Sequence, residues 1–199
     1  TSAFNTGNPD AHLVKLNAGG VALWAKTYGG LTGEACWSVA ATPDRGYILT
    51  GSAHGDAFLL KTVETGATAW IRYYGGGASE AGYAVRTTPD NGYVLAGATG
   101  SFGAGASAAW LVKTDSMGSP TWAKTFGGIS DDIAWQVEVN SDGGFSLVGE
   151  TWSYGPGTPD YSNLFLVKTD GQGDTIWTRN YGGIMGDGGY SIRELPGHK

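Results

Sequence analysis

The chain has 199 residues, a net charge of −6 and only 15% charged residues, together with 35 glycines, 8 tryptophans and 10 tyrosines. This length suffices for one domain with a substantial core, and the abundant glycines and aromatic residues predict short strands joined by tight turns. The acidic balance excludes the basic surface that nucleic acids and anionic membranes require, and no run of 18 apolar residues predicts a transmembrane segment.

The beginning of the chain and its cysteine content leave the cellular compartment open. The chain opens at Thr1 with neither an initiator Met nor a signal peptide, so either an export signal was removed or the sequence is a piece of a longer protein. Cys36 is the single cysteine and excludes an internal disulfide. A cysteine-poor chain fits both a cytoplasm and a surface environment.

A stretch of nineteen residues occurs four times, beginning at His12, Phe58, Trp110 and Phe165. Each copy carries a Lys, a Trp and a closing Gly pair, and each of these markers recurs at spacings of 46, 52 and 55 residues. Three markers with one spacing indicate a structural unit copied four times, each copy being about 50 residues long. The markers are Lys15, Lys61, Lys113 and Lys168, then Trp24, Trp70, Trp122 and Trp177, and the Gly pairs that end at Gly30, Gly76, Gly128 and Gly183.

Two kinds of hairpin alternate along the chain. The repeated stretch predicts one kind, which we call the Lys hairpin and which turns at a Gly, as in Asp115-Ser116-Met117-Gly118. The second kind, which we call the Pro-Asp hairpin, turns first at 43–46, then at 89–92, and in a Ser-Asp variant at 141–144. Pro fixes φ and Gly permits a positive φ, so these turns have a physical basis.

Four strands of about five to seven residues per unit have the proportions of a propeller blade. We therefore predict an all-β fold, a β-propeller of four blades, each a four-stranded antiparallel sheet, formed by residues 1–199 as a single domain. A twisted sheet of four strands cannot bury both faces alone, so the copies must stack. The repeated Trp is expected to wedge between neighbouring sheets, with its N–H reaching a carbonyl.

The recurring pattern of a Trp-x-Lys-Thr segment, an aromatic residue, a Gly pair, an acidic residue and a Thr-Pro-Asp-x-Gly-Tyr turn resembles a known family. It is similar to the secreted β-propeller repeats of bacterial and archaeal surface proteins, the SBBP-like group, and the similarity covers nearly the whole chain. The resemblance implies a secreted or cell-surface scaffold or binding module, often in long tandem arrays. It supplies no catalytic residues.

The two ends of the chain leave the fourth unit incomplete. The tail from Tyr190 aligns with the strand that begins at Tyr83, and the head from Thr1 aligns with the stretch from Thr99. Nothing corresponds to residues 93–98, so we predict about 15 strands where four full blades need 16. Either the chain is a segment of a longer repeat array, or the open blade accepts a strand from another copy and so builds a fibre or an array.

A carboxylate follows each Gly pair in register and begins the first strand of a blade. In one interpretation these four side chains ring one mouth of the central channel, where they could hold a cation such as Ca²⁺. In the other, each pairs with a repeated Lys or accepts backbone N–H groups of the Gly turn and so fixes the loop. The four residues are Glu34, Glu80, Asp132 and Asp187.

The repeated lysines are expected to lay their methylene stems over the sheet and reach a carboxylate. The position five residues earlier is Asp10 and Asp56 in two copies but Ala108 and Asn163 in the others, which excludes a uniform fourfold site. Cys36 aligns with small residues and is predicted to fill a tight slot. No zinc-ligand spacing or nucleophile elbow is present.

The loops that precede the Lys hairpins differ in length, and specific ligands usually bind such variable loops. The longest loop carries Trp152, Tyr154 and Tyr161 among Gly and Pro residues, and with Phe102 these form a candidate aromatic surface for carbohydrate rings. Since Tyr154 shares its register with Phe102 and Phe4, the alternative is that it packs under its own loop.

Three functions follow from these features. The first is a non-enzymatic extracellular scaffold or interaction module that binds copies of itself or other surface proteins. The second is glycan binding through the long loops. The third, a hydrolase or lyase, needs an asymmetric acid and base pair, for which Asp131 beside Asp132 is the only local departure from symmetry. We predict no cofactor other than the candidate Ca²⁺.

Overall fold

The computed structural model describes residues 10–29 and 33–195, and this part of the chain is all-β, as predicted, without a helix. Consequently the described residues contain no helix long and apolar enough to cross a bilayer. The strands are β1 (Ala11–Leu16), β2 (Ala22–Tyr28), β3 (Ala35–Ala41), β4 (Tyr47–Ala53), β5 (Asp56–Thr62), β6 (Thr68–Tyr74), β7 (Glu80–Thr87), β8 (Tyr93–Thr99), β9 (Ala108–Thr114), β10 (Pro120–Phe126), β11 (Asp132–Val139), β12 (Phe145–Thr151), β13 (Asn163–Thr169) and β14 (Thr175–Tyr181).

The strands form four antiparallel sheets in which each strand pairs with its neighbour along the chain. The first sheet contains only β1 and β2, which are a Lys hairpin, whereas each of the other three joins a Pro-Asp hairpin to the following Lys hairpin. These three are β3 to β6, β7 to β10 and β11 to β14. The alternation of hairpins that the sequence predicts is therefore confirmed in the described residues.

The turns of the Pro-Asp hairpins need residues that tolerate a positive φ. Arg45 and Asn91 have φ values of 66° and 61°, and Gly143 occupies the same position with a φ of 83°. The turn Asp stabilises this conformation, since the backbone N–H of Gly92 donates to Oδ1 of Asp90 at 3.2 Å. The local sequence thus determines the turn.

A glycine in the second strand of each four-stranded sheet lies where the first strand bulges. The pairing of β7 with β8 shifts register between Gly82 and Ala84. A Cβ atom on Gly97 would meet the carbonyl oxygen of Ala81, so the two backbones approach too closely for any side chain. Gly51 and Gly149 repeat this contact in the other two sheets.

Neighbouring sheets stack in chain order, and the apolar core lies between them. Ile48 and Leu59 of the second sheet pack with Val85 of the third. Val94 of the third sheet packs with Val137 of the fourth in the same way. The largest fully buried side chains are Phe58, Ile48, Leu49, Leu59, Leu95, Leu111, Leu147, Val85, Val94, Val112, Val137 and Val167.

The repeated Trp lies between sheets, as predicted, at three junctions. Each packs on the turn of the next Lys hairpin: Trp24 against Gly66, Trp70 against Gly118 and Trp122 against Gly173. A tyrosine on the same strand as Trp24 or Trp70 strengthens the contact by donating its hydroxyl to the carbonyl oxygen of the same glycine. The repeated sequence unit therefore also repeats the contact that joins neighbouring sheets.

The segment 187–194 lies on the outer face of the last sheet, where the first strand of a further sheet would lie. The N–H of Ile192 donates to Oε1 of Gln136 at 2.8 Å, and at the same register the N–H of Val85 donates to Oγ of Ser38 at 3.3 Å. The alignment of the tail with the first strand of a unit is thereby confirmed in position, although this segment belongs to none of the four sheets. Pro196, which aligns with Pro89 of the Pro-Asp turn, lies outside the described residues.

The packing runs from the first sheet to the fourth, and the described residues show no extensive packing between those two. The stack is therefore open. Four-stranded antiparallel sheets are confirmed, and the closed ring of four blades stays a prediction.

Candidate functional site

The carboxylates that follow the Gly pairs hold the Gly turns. The backbone N–H of Gly76 donates to Oε2 of Glu80 at 2.9 Å, and that of Gly128 donates to Oδ2 of Asp132 at 2.9 Å. Asp187 accepts from its own Gly pair at 2.8 Å. These contacts agree with the interpretation in which the carboxylates fix the loop.

Two of these buried carboxylates differ in the balance between burial and hydrogen bonding. Burial alone would raise the pKa of Glu80, but hydrogen bonds from Ser101, Gly76 and Thr99 outweigh it and hold the pKa below its ordinary value. Burial raises the pKa of Asp132 above its ordinary value despite comparable donors. Its Oδ1 atom is buried and accepts no hydrogen bond in the described structure.

Glu34 is the first of the four carboxylates along the chain, and it is also buried. It lies against Gly29, together with the carboxylate of Asp10. Gly30, the second residue of this Gly pair, lies outside the described residues. Among the residues that are described, no three His, Cys, Asp or Glu side chains group closely enough to hold a metal ion. The channel-mouth ring and its Ca²⁺ stay predictions.

Three of the four repeated lysines pair with the aspartates of the Pro-Asp turns, and this corrects one alternative, in which they pair with the carboxylates that follow the Gly pairs. The Nζ atom of Lys113 lies 2.7 Å from Oδ2 of Asp90, and that of Lys61 lies 2.8 Å from Oδ2 of Asp44. Both lysines are buried. Hydrogen bonds from these lysines help to lower the pKa of Asp44 and of Asp90 to about 2, the latter against burial.

The candidate aromatic surface is divided between two loops. Phe102 precedes β9 and packs on Trp110, with ring centroids 6.1 Å apart. Tyr154 precedes β13, packs on Phe165 at 6.2 Å and donates its hydroxyl to the carbonyl oxygen of Gly127. Each ring thus packs on an aromatic residue of its own unit, in keeping with the alternative interpretation of Tyr154, but both rings stay about half exposed (46% and 45%).

The other two aromatic residues of this candidate site lie in the loop of Tyr154. Trp152 is half-buried and Tyr161 is exposed. Glycan binding at this loop stays a prediction. Phe4 lies outside the described residues.

A column of aromatic rings crosses the stacked sheets, and the sequence reasoning missed it. Trp37, Tyr83 and Trp135 stand on the first strands of successive sheets, with centroid distances of 5.0 and 4.4 Å. Tyr190 of the carboxyl-terminal segment continues the column, 5.9 Å from Trp135. The signal was present, because these residues follow the same spacings of 46, 52 and 55 as the other markers.

In residues 10–29 and 33–195, the first sheet lacks the strand that would cover β3. Val39 of β3 is 48% exposed, whereas Val85 and Val137 at the same register are 0% exposed. In the complete sheets, Ile48 of β4 and Val94 of β8 pack on those two valines. Within the described part of the chain, the first sheet has no second strand to carry the corresponding residue next to β1.

A groove of about 350 Å³ occupies this place, between the edge of β1 and the face of β3. Apolar side chains line much of it, including Leu13, Trp37, Val39 and Leu49. Cys36 also lines it, and burial raises the pKa of its thiol above the ordinary value. The groove is open along the side on which β5, β9 and β13 each pair with a further strand.

Lys15 of β1 lies in a setting unlike that of its equivalents. Its Nζ atom lies 5.6 Å from the centroid of the Tyr47 ring, whereas Lys61, Lys113 and Lys168 each form an ion pair with a turn aspartate. The missing Pro-Asp hairpin would have supplied that carboxylate. The groove thus combines an apolar floor with the carboxylates of Asp10 and Glu34, and Lys15 lies two residues beyond Leu13 on β1.

Comparison of the chain with models of known protein families gave no match. Comparison with curated proteins gave no match either. The resemblance to secreted propeller repeats therefore rests on the sequence motifs alone.

Proposed function

We propose that the chain is a non-enzymatic scaffold or interaction module that binds an extended strand of a partner in the groove between β1 and β3. The partner is another copy of the chain or another surface protein. Secretion or display at the cell surface is part of the proposal and follows the motif resemblance. So is the arrangement of the stacked sheets as propeller blades.

The exposure of Val39 carries this proposal. An apolar side chain that is half exposed in one copy and fully buried in two others marks a place where one packing partner is lacking. Among the described residues no strand pairs with the second edge of β1, and strands commonly add to such edges in peptide recognition. The groove therefore suits a strand better than a compact small molecule.

The repeated polar residues support a scaffold role, because their interactions are internal to the units. Glu80 holds a Gly turn and Lys113 pairs with Asp90 inside its own sheet. Such residues specify the geometry of the stack.

A peptide with the sequence of residues 88–99 tests the proposal, because it contains a turn aspartate followed by a complete second strand. We expect saturable binding of the labelled peptide, measured by fluorescence anisotropy. Val39→Asp should weaken binding at least tenfold, since strand insertion would bury the new charge. Val63→Asp is the matched control, because Val63 is also about half exposed (43%) but lies in the turn between β5 and β6.

In the proposed complex the aspartate of the peptide pairs with Lys15. This ion pair gives a second control within the same assay. A peptide carrying Asp90→Asn should bind about fivefold more weakly to the wild type, in keeping with a partly exposed ion pair. The same change should have no effect on binding to the Lys15→Met variant. Equal binding to the wild type and to Val39→Asp, or no binding at millimolar peptide, would refute the proposed function.

A further inference from the structure

Three junctions between sheets repeat one docking contact. At the first, Trp24 packs on Gly66, and Tyr28 donates its hydroxyl to the carbonyl oxygen of Gly66 at 2.7 Å. At the second, Trp70 and Tyr74 make the same contacts to Gly118, with a hydroxyl-to-carbonyl distance of 2.7 Å. Gly66, Gly118 and Gly173, the receiving glycines at the three junctions, are all buried.

The last strand, β14, presents the same side chains, and no turn in the described part of the chain receives them. Trp177 is 38% exposed and Tyr181 is 57% exposed, whereas Tyr28 and Tyr74 are 9% and 7% exposed. The guanidinium of Arg179 lies 5.8 Å from the Trp177 ring, close to the 5.9 Å between Arg72 and Trp70 at an occupied junction. The exposed face is therefore already arranged for docking.

The matching receptor lies at the opposite end of the stack, in the turn between β1 and β2. Gly20 has a φ of 77°, the value found at Gly66, so this turn has the backbone shape of an occupied one. Gly20 is nevertheless exposed, and no atom of the described structure other than its chain neighbours lies within 4 Å of the place where its Cβ would be. The stack thus has exposed docking side chains on β14 at one end and, at the other end, an exposed turn with the backbone shape that receives them.

We propose that β14 of one copy docks on the turn between β1 and β2 of a second copy, with Trp177 and Tyr181 on Gly20. The partner is a second copy because, among the described residues, the first and fourth sheets of one chain show no extensive packing. Such a head-to-tail contact generates a closed ring of copies or an open filament, depending on the rotation per copy. This inference deepens the proposed scaffold role and rests on it.

Engineered disulfides test the contact directly. A Cβ atom on Gly118 would lie 3.0 Å from Cγ of Arg72, the position that the sulfur of a cysteine at residue 72 would take. Two cysteines at these positions are therefore close enough to form a disulfide. In a Cys36→Ser background we expect Gly20→Cys in one copy to form a mixed disulfide with Arg179→Cys in a differently tagged copy. The chain with Arg72→Cys and Gly118→Cys, which should form an internal disulfide, is the positive control.

Gly55→Cys is the matched negative control, since Gly55 is an exposed turn glycine with a φ of 92° and open space at its Cβ. With Arg179→Cys it should cross-link at least tenfold more slowly than Gly20→Cys does. Equal rates would overturn the inference, and so would an exclusively internal disulfide in the chain that carries both Gly20→Cys and Arg179→Cys. Because these residues lie outside the groove, cross-linking and peptide binding can fail separately.

Discussion

Val39, Val85 and Val137 form an internal comparison that predicts how much one missing strand matters for stability. They occupy the same register of β3, β7 and β11, but only Val39 is exposed. The perturbation is Val→Ala at each position in turn. The chemistry of the substitution is identical, so any difference in the free energy of unfolding reports the surroundings.

The expected magnitude follows from burial. Val→Ala removes two methylene equivalents, which at full burial contribute about 1.6 kcal/mol. The cavity left behind adds about 1 kcal/mol, because the flanking sheets relax only partly. We therefore expect a loss of about 2.5 kcal/mol for Val85→Ala and Val137→Ala. Val39→Ala should cost about 0.8 kcal/mol, since half of its side chain already faces solvent and no cavity forms.

Urea unfolding followed by tryptophan fluorescence measures these differences. With an m value of about 2 to 3 kcal/mol/M, the buried substitutions should lower the midpoint by about 1 M, and Val39→Ala by about a third of that. An equal loss at all three positions would refute the reasoning, because it would mean that Val39 is covered in solution. Addition of the 88–99 peptide should make Val39→Ala more costly than in the protein alone.

Two further predictions concern the units themselves. Gly97→Ala should cost about 3 kcal/mol or more, since its Cβ would meet the carbonyl oxygen of Ala81, whereas Gly77→Ala should be close to neutral because its Cβ meets open space; chemical denaturation distinguishes them. The pKa of Asp90 is about 2 in the folded protein, below its ordinary value, so its contribution to stability is present above about pH 4 and is lost as the pH falls through 2. Asp90→Asn should remove that part of the acid dependence, and a wild-type acid profile for this variant would contradict the ion pair with Lys113.

The fold was largely predictable because the sequence repeats its turn chemistry. Asp90 and Gly92 specify a local turn, and the spacing of the Trp residues gives the number of units. Since Trp24, Trp70 and Trp122 recur in register, their place between sheets followed from their size. The lack of a second strand in the first sheet also followed, because no residues correspond to 93–98. The first strand predicted from Tyr190 onward, however, joins no sheet in the described residues, which contain 14 strands and not about 15.

The contacts between side chains were harder to predict. A shared spacing shows that Lys113, Glu80 and Asp90 recur together, but it does not show which carboxylate the lysine reaches. The arrangement of the strands decides which carboxylate the lysine reaches. Nζ of Lys113 lies 2.7 Å from Asp90, whereas Glu80 accepts a hydrogen bond from the Gly turn. Whether the sheets close into a ring depends on the small rotation at each junction, which no short motif specifies.

The most direct test of assembly through these open ends is the molar mass in solution, measured by size-exclusion chromatography with multi-angle light scattering over a wide range of concentrations. Head-to-tail docking predicts a mass that rises with concentration above the 20.6 kDa of a single chain. Trp177→Ala should return the mass to that of the monomer, while Trp152→Ala, in a loop outside the docking surface, should not. A wild-type mass that stays at 20.6 kDa at millimolar concentration would contradict head-to-tail docking.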